Sequence, residues 1–144
     1  MENDFSFVII LDILRKKFKT FVLFGVLAAF AHGETVVTGA EELRVKESDR
    51  IAATVAMLKA NGVEAEERPD GFVVQGCGDK GVPGGGMVET RHDHRIAMSA
   101  LVMGLGANDP VSVDDTSMID TSYPDFMVHM KAFGADIETI EDDA

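Results

Sequence analysis

The chain has 144 residues, 46% hydrophobic and 26% charged, with a formal net charge of −12 and a single cysteine, Cys77. That length suits one domain, and the composition is globular rather than disordered. One cysteine excludes a disulfide scaffold and fits a reducing, cytoplasmic setting, while the negative charge excludes a general binder of nucleic-acid phosphates.

The charge is unevenly placed. Residues 1–33 carry a net charge of +1, and residues 34–144 a net charge of −13. Two apolar runs, 5–14 (FSFVIILDIL) and 20–31 (TFVLFGVLAAFA), flank the basic stretch RKKFK. Neither reaches the roughly 20 apolar residues of a membrane span. The order basic stretch, apolar run, Ala29-Phe30-Ala31 imitates a cleavable signal. However, 14 residues including three acids precede the basic stretch, where a signal has a short positive start. The better expectation is a buried helix over 21–31 with Gly33 as its stop, then a short strand at Val36 and Val37.

From Ser48 the pattern is helical. Ser48 is the expected N-cap, and Ile51, Val55 and Leu58 make one apolar stripe that Asn61-Gly62 closes. Residues 63–66 and 72–75 read as a hairpin around Pro69-Asp70-Gly71. The glycine-rich stretch 76–86 (GCGDKGVPGGG) reads as a surface loop, since it lacks the spacing of a phosphate cradle. A second helix spans 93–104, with Asp93 as N-cap and Ile96, Ala100 and Met103 as its stripe. Residues 111–113 read as a strand. Ser122-Tyr123-Pro124-Asp125 opens a third helix ending at Gly134, and 135–140 reads as a last strand. Helices and strands alternate, so the class is α/β or α+β with helices packed on mixed sheets. Glu141-Asp142-Asp143 reads as a solvated acidic tail.

Two polar clusters stand at helix starts, where unpaired N–H groups and the helix dipole favour anions. In Arg44-Val45-Lys46-Glu47-Ser48-Asp49-Arg50, Lys46 adds charge and Arg50 offers a bidentate fork for a carboxylate or phosphate. Glu47 between these cations suits proton transfer. In Arg91-His92-Asp93-His94-Arg95, Arg95 suits an anion and His94 sets an imidazole beside it. The His-Asp-His triplet lacks the i, i+4 spacing of a helical metal pair. The plain alternative is a pair of capped helix starts with exposed ion pairs. The functional alternative is one anionic ligand held between the two starts, which requires Arg50 and Arg95 to lie close together.

GAEELRVKESDRIAATVAMLKANGVEAE, HDHRIAMSALVMGL and PVSVDDTSMIDTSYPDFMVHMKAFGADIE resemble the C-terminal part of 5-enolpyruvylshikimate-3-phosphate (EPSP) synthases, closest in flavour to the bacterial class II type. The likeness covers about residues 26–144, and RVKESDR and DHRIAM are its hallmarks. Residues 1–25 stand apart as an apolar and basic segment, expected to be helical. The resemblance implies about one and a half βαβαββ units of the inside-out α/β barrel fold of enolpyruvyl transferases. It also implies transfer of the enolpyruvyl group of phosphoenolpyruvate to the 5-hydroxyl of shikimate 3-phosphate, without metal or organic cofactor. By the same likeness Lys46 contacts the shikimate phosphate and lies near the reacting hydroxyl. Glu47 transfers protons, Arg50 and Arg95 grip the phosphoenolpyruvate carboxylate, and His94 stands beside them.

The sequence departs from the family in three places. Its length is about a third of the usual, so the family's other domain, with further cations and the aspartate that partners the glutamate, is not in it. Thr121 stands where many members carry a lysine, and His92 where many carry Asn or Asp. The implied partners are phosphoenolpyruvate and shikimate 3-phosphate, with a second copy or a complementary N-terminal fragment, and neither nucleic acid nor membrane. Glyphosate tolerance is an associated phenotype. The alternative is a non-catalytic domain that binds anions or pairs with such a fragment.

Overall fold

The computed structural model describes residues 7–10, as backbone, and residues 21–141. The RKKFK stretch and Asp142-Asp143 lie outside them. Strand β1 (Phe7–Ile10) runs parallel to β2 (Glu34–Thr38), pairing Phe7 with Thr35 and Ile10 with Thr38, and helix α1 (Phe21–Phe30) makes the crossover. Helix α2 (Arg50–Ala60) leads to the hairpin of β3 (Glu64–Arg68) and β4 (Gly71–Gln75). Strand β4 inserts antiparallel between β2 and β3, giving the sheet order β1-β2-β4-β3. This is one complete βαβαββ unit. A second unit then begins: β5 (Met87–Val88) and β6 (Ser112–Val113) pair in parallel around helix α3 (His94–Gly104), followed by α4 (Ile119–Ser122) and α5 (Phe126–Ala132).

Helices α1, α2 and α3 pack on one another, with the four-stranded sheet against α1 and α2 and the small sheet against α2 and α3. Helices are inside and sheets outside, which explains why α1 is apolar all round rather than striped: it has neighbours on several faces. Phe21, Val22, Val26, Ala28 and Ala29 are all buried, and the Phe21 and Phe72 rings meet edge to face with centroids 5.2 Å apart. At Gly25 an added Cβ would fall 2.7 Å from the Thr54 methyl carbon, so α1 and α2 cross this closely because the side chain is missing. The predicted stripes hold: Ile51, Leu58, Ile96, Ala100 and Met103 are fully buried and Val55 nearly so.

Several expectations give way. Residues 7–10 form a strand where a helix was expected; Val8, Ile9 and Ile10 are β-branched, and the edge of β2 supplies the partner. The cap of α2 is Asp49, whose Oδ1 accepts from the Ala52 amide at 3.0 Å, one residue beyond Ser48. Helix α5 begins only after Asp125, with no side-chain cap bond, and Pro124 sits in the turn before it. Residues 135–140 pair with no strand among the described residues; their period-two pattern lacks an edge to bond to, although Ile137 leans on the Phe126 and Met130 cluster. The glycine stretch keeps Asp79, Lys80, Pro83 and Gly85 at the surface, as expected of a loop, but its other side packs as a seam between the two units. Val82 is fully buried, the Gly84 amide donates to the Asn61 carbonyl, and the Gly86 amide donates to Asn61 Oδ1. A Cβ at Gly86 would lie 2.0 Å from the Ala60 carbonyl oxygen, so no side chain fits.

Candidate functional site

The starts of α2 and α3 meet at Asp93. Its carboxylate is fully buried and caps α3 by accepting from the Arg95 amide at 3.0 Å. The same carboxylate takes two bonds from Arg50, Nε to Oδ2 at 2.8 Å and Nη2 to Oδ1 at 3.2 Å, and one from Ser48 Oγ at 2.7 Å. Burial acts to raise the Asp93 pKa. The hydrogen bonds from Arg50 and Ser48, the Arg50 charge and the Arg95 amide outweigh it, leaving the carboxyl below its ordinary value. Arg50 is itself buried, at 3% exposure, and its Nη2 also donates to Glu47 one turn earlier.

Nε and Nη2 of Arg50 thus form one two-point fork that is already closed on a protein carboxylate. Asp93 in turn is more than a cap. Its spacing from Arg50 is 43 residues, and no local pattern links two residues that far apart. The sequence signals for Asp93 are its capping position and its place at the head of DHRIAM, and neither points to Arg50.

Arg95 feels the cluster electrostatically. Burial lowers its pKa first, the nearby Arg50 charge lowers it further, and Glu47 and Asp93 partly restore it. Both arginines are thus tied to the same carboxylate, Arg50 through its guanidinium and Arg95 through its amide. Arg95 also lines a cleft of about 270 Å³ with His94, Met98, Ser122 and Tyr123. The Tyr123 hydroxyl is hydrogen-bonded to His129 Nδ1 at 2.6 Å. The structure thus joins Glu47, Arg50 and Arg95 through Asp93 and places His94 in the cleft beside them. Lys46 stands on the exposed part of the loop before α2.

The approach to α3 is strained and braced. Arg91 and His92 both adopt positive φ, 54° and 56°, a region that costs non-glycine residues about 1 kcal/mol or more each. Thr90, fully buried, holds the turn: its carbonyl accepts from the Asp93 amide at 2.9 Å. Its own amide and hydroxyl both donate to Asp114 Oδ1, at 2.9 and 2.6 Å. Burial would raise the Asp114 pKa, but the Thr90 bonds lead a set that leaves it lowered. His92 turns outward, 3.5 Å from Asp115, so the His-Asp-His triplet does not converge.

Two helix starts joined by a buried carboxylate, each carrying an arginine, thus stand in an inside-out α/β assembly. The EPSP synthase (3-phosphoshikimate 1-carboxyvinyltransferase) family model matches residues 9–130, and the chain belongs to that family. The match reaches into the N-terminal segment that the resemblance left out. A 3-phosphoshikimate 1-carboxyvinyltransferase of Hyphomonas neptunium is 75% identical over 119 residues, which are 83% of this chain and 27% of the relative. The enzyme of the same name from Bradyrhizobium sp. strain ORS 278 is 56% identical over 116 residues, 81% of this chain and 26% of the relative. An EPSP synthase structure from Acinetobacter baumannii superposes with a TM-score of 0.76 at 36% identity, over 84% of this chain and 28% of that one. The chain therefore spans about a quarter of the length of the relatives it matches.

Proposed function

We propose that this chain carries one half of the anion site for enolpyruvyl transfer from phosphoenolpyruvate to the 5-hydroxyl of shikimate 3-phosphate. The observation that carries the reading is the junction at Asp93, whose buried carboxylate pairs with the Arg50 guanidinium and caps the helix that carries Arg95. In the proposed roles, Arg50 and Arg95 attract the phosphoenolpyruvate carboxylate and Lys46 the shikimate phosphate. The 5-hydroxyl oxygen adds to C2 of phosphoenolpyruvate, its proton leaves to a base, and C3 gains a proton. The tetrahedral adduct then loses a C3 proton and inorganic phosphate, leaving the enolpyruvyl ether. Glu47 is the proton carrier, and His94 in the cleft stabilises the charge that develops. Fixed cations aimed at developing charge are usually the largest catalytic contribution.

A second reading is a non-catalytic domain that binds anions or pairs with a complementary chain. Exposed Leu27, Leu105, Val128 and Phe133 support association with a second copy or a complementary chain. No helix among the described residues is long and apolar enough to cross a membrane. The test is phosphate release by the purified chain given phosphoenolpyruvate and shikimate 3-phosphate, beside Glu47→Gln and Arg50→Ala. Release abolished in both variants supports the catalytic reading. Calorimetric binding of phosphoenolpyruvate without release, lost in Arg95→Ala and competed by glyphosate, supports the binding-only reading. Neither binding nor release sinks both.

A further inference from the structure

Arg44, the fourth arginine of the two clusters to make a structural mark, touches neither Asp93 nor the cleft, yet its guanidinium is heavily engaged. Nε donates to the Pro69 carbonyl at 2.8 Å and Nη2 to the Arg68 carbonyl, so one edge grips the β3–β4 turn. Nη1 donates to Glu67 Oε1 at 2.7 Å and to Asp49 Oδ2 at 2.9 Å. Asp49 caps α2 with its other oxygen. The Arg44–Asp49 pair therefore closes a ring around residues 45–48, the stretch that carries Lys46 and Glu47.

Nothing apolar holds that stretch down. Leu43 before it and Ile51 after it are fully buried, but Val45 is 81% exposed and Lys46 and Glu47 are exposed as well. Ser48 and Glu47 tie it further by polar bonds, Ser48 to Asp93 and Glu47 to Arg50. A short polar loop without packed side chains takes its shape from its ends, and Arg44 joins those ends to each other and to the hairpin turn. We propose that Arg44 is a positioning residue: it sets the conformation of residues 45–48 so that Lys46 and Glu47 face Arg50 and Arg95. The inference rests on the anion-site reading above for its functional consequence, and on the hydrogen bonds alone for its structural one. A lysine cannot replace Arg44, because an ammonium has no planar fork to reach two carbonyls and two carboxylates together.

The test uses the full chain, with Arg44→Lys, Asp49→Asn and Glu67→Gln. Asparagine still caps a helix well, so Asp49→Asn weakens the ring and spares the cap. Amide hydrogen exchange is read at residues 45–48 and, as reference, within α2 and β4. Arg44→Lys and Asp49→Asn should speed exchange at 45–48 by about tenfold, the scale of one lost charge-assisted hydrogen bond. The α2 and β4 amides should hold within about twofold, and Glu67→Gln should leave the loop nearly unchanged. NMR titration with phosphoenolpyruvate adds a second readout. The response at Lys46 and Glu47 should weaken in Arg44→Lys, while the response at His94, which lies on α3, persists. Uniform acceleration over loop and core would reduce Arg44 to a stabilising contact and overturn the proposal, as would an unchanged loop. A native chain that ignores phosphoenolpyruvate would overturn the anion-site reading instead, with the exchange result still deciding the role of Arg44.

Discussion

At the start of α2 the backbone of residues 45–48 runs through solvent, tied by Arg44, Ser48 and Glu47. At the start of α3 the backbone of residues 90–93 runs between two fully buried polar side chains, Thr90 and Asp93, and bends through two left-handed residues. Each start carries an arginine, Arg50 on the first and Arg95 on the second. The first is held by charged groups at the surface, where water and salt compete. The second is held by hydrogen bonds out of water, where each bond is costly to break. The exposed stretch with Lys46 and Glu47 sits on the first, and the fixed frame that Asp93 builds sits on the second.

The sharpest way to break this contrast is Asp93→Ala. It strands a buried Arg50 without its carboxylate, and the expected loss is about 3–5 kcal/mol in urea unfolding. A loss of under about 1 kcal/mol would show that the α3 frame is no firmer than the surface loop. The same group gives a pH signature. Because the folded Asp93 pKa lies below its unfolded value, its contribution is complete above about pH 4 and fades as pH falls through the folded value. Native stability should therefore fall on the acid side more steeply than that of Asp93→Asn, compared by unfolding at a series of pH values below about 5.

Thr90→Val removes one donor to Asp114 while keeping shape, and should cost about 1–3 kcal/mol by thermal or urea unfolding. The smallest effect belongs to the bend. His92→Gly relieves a left-handed residue at the expense of unfolded-state entropy, so the net change should be a stabilisation of under about 1 kcal/mol. Destabilisation by His92→Gly would mean that the His92 contact with Asp115 outweighs the backbone strain.

Much of this was legible beforehand, and the reasons differ by region. The stripes of α2 and α3 follow from a 3.6-residue period, so Ile51, Leu58, Ile96 and Met103 announce their burial. The Asp93 cap is likewise local, spanning two residues. Ser48 was misread as the α2 cap because Ser48 and Asp49 are equally good cap types and adjacent. The choice fell to Asp49 once Asp93 claimed the Ser48 hydroxyl. Residues 135–140 show that alternation alone does not make a strand, since a strand needs an edge. The glycine stretch looked like a surface loop because glycine signals both mobility and close approach, and only the Ala60 carbonyl beside Gly86 distinguishes them.

By itself, then, the sequence determined what depends on neighbours within a turn or two: the α/β alternation, the helix faces, the capped starts and the kinds of charge placed on them. It also carried the family motifs whole. Tertiary structure alone decided what depends on distant partners. That Arg50 shares Asp93 with the α3 cap, that α1 is buried on several faces, and that β1 finds the edge of β2 are contacts between segments tens of residues apart. Such pairings are chosen by packing and by the cost of leaving buried polar groups unmet, and no local pattern along the chain encodes them.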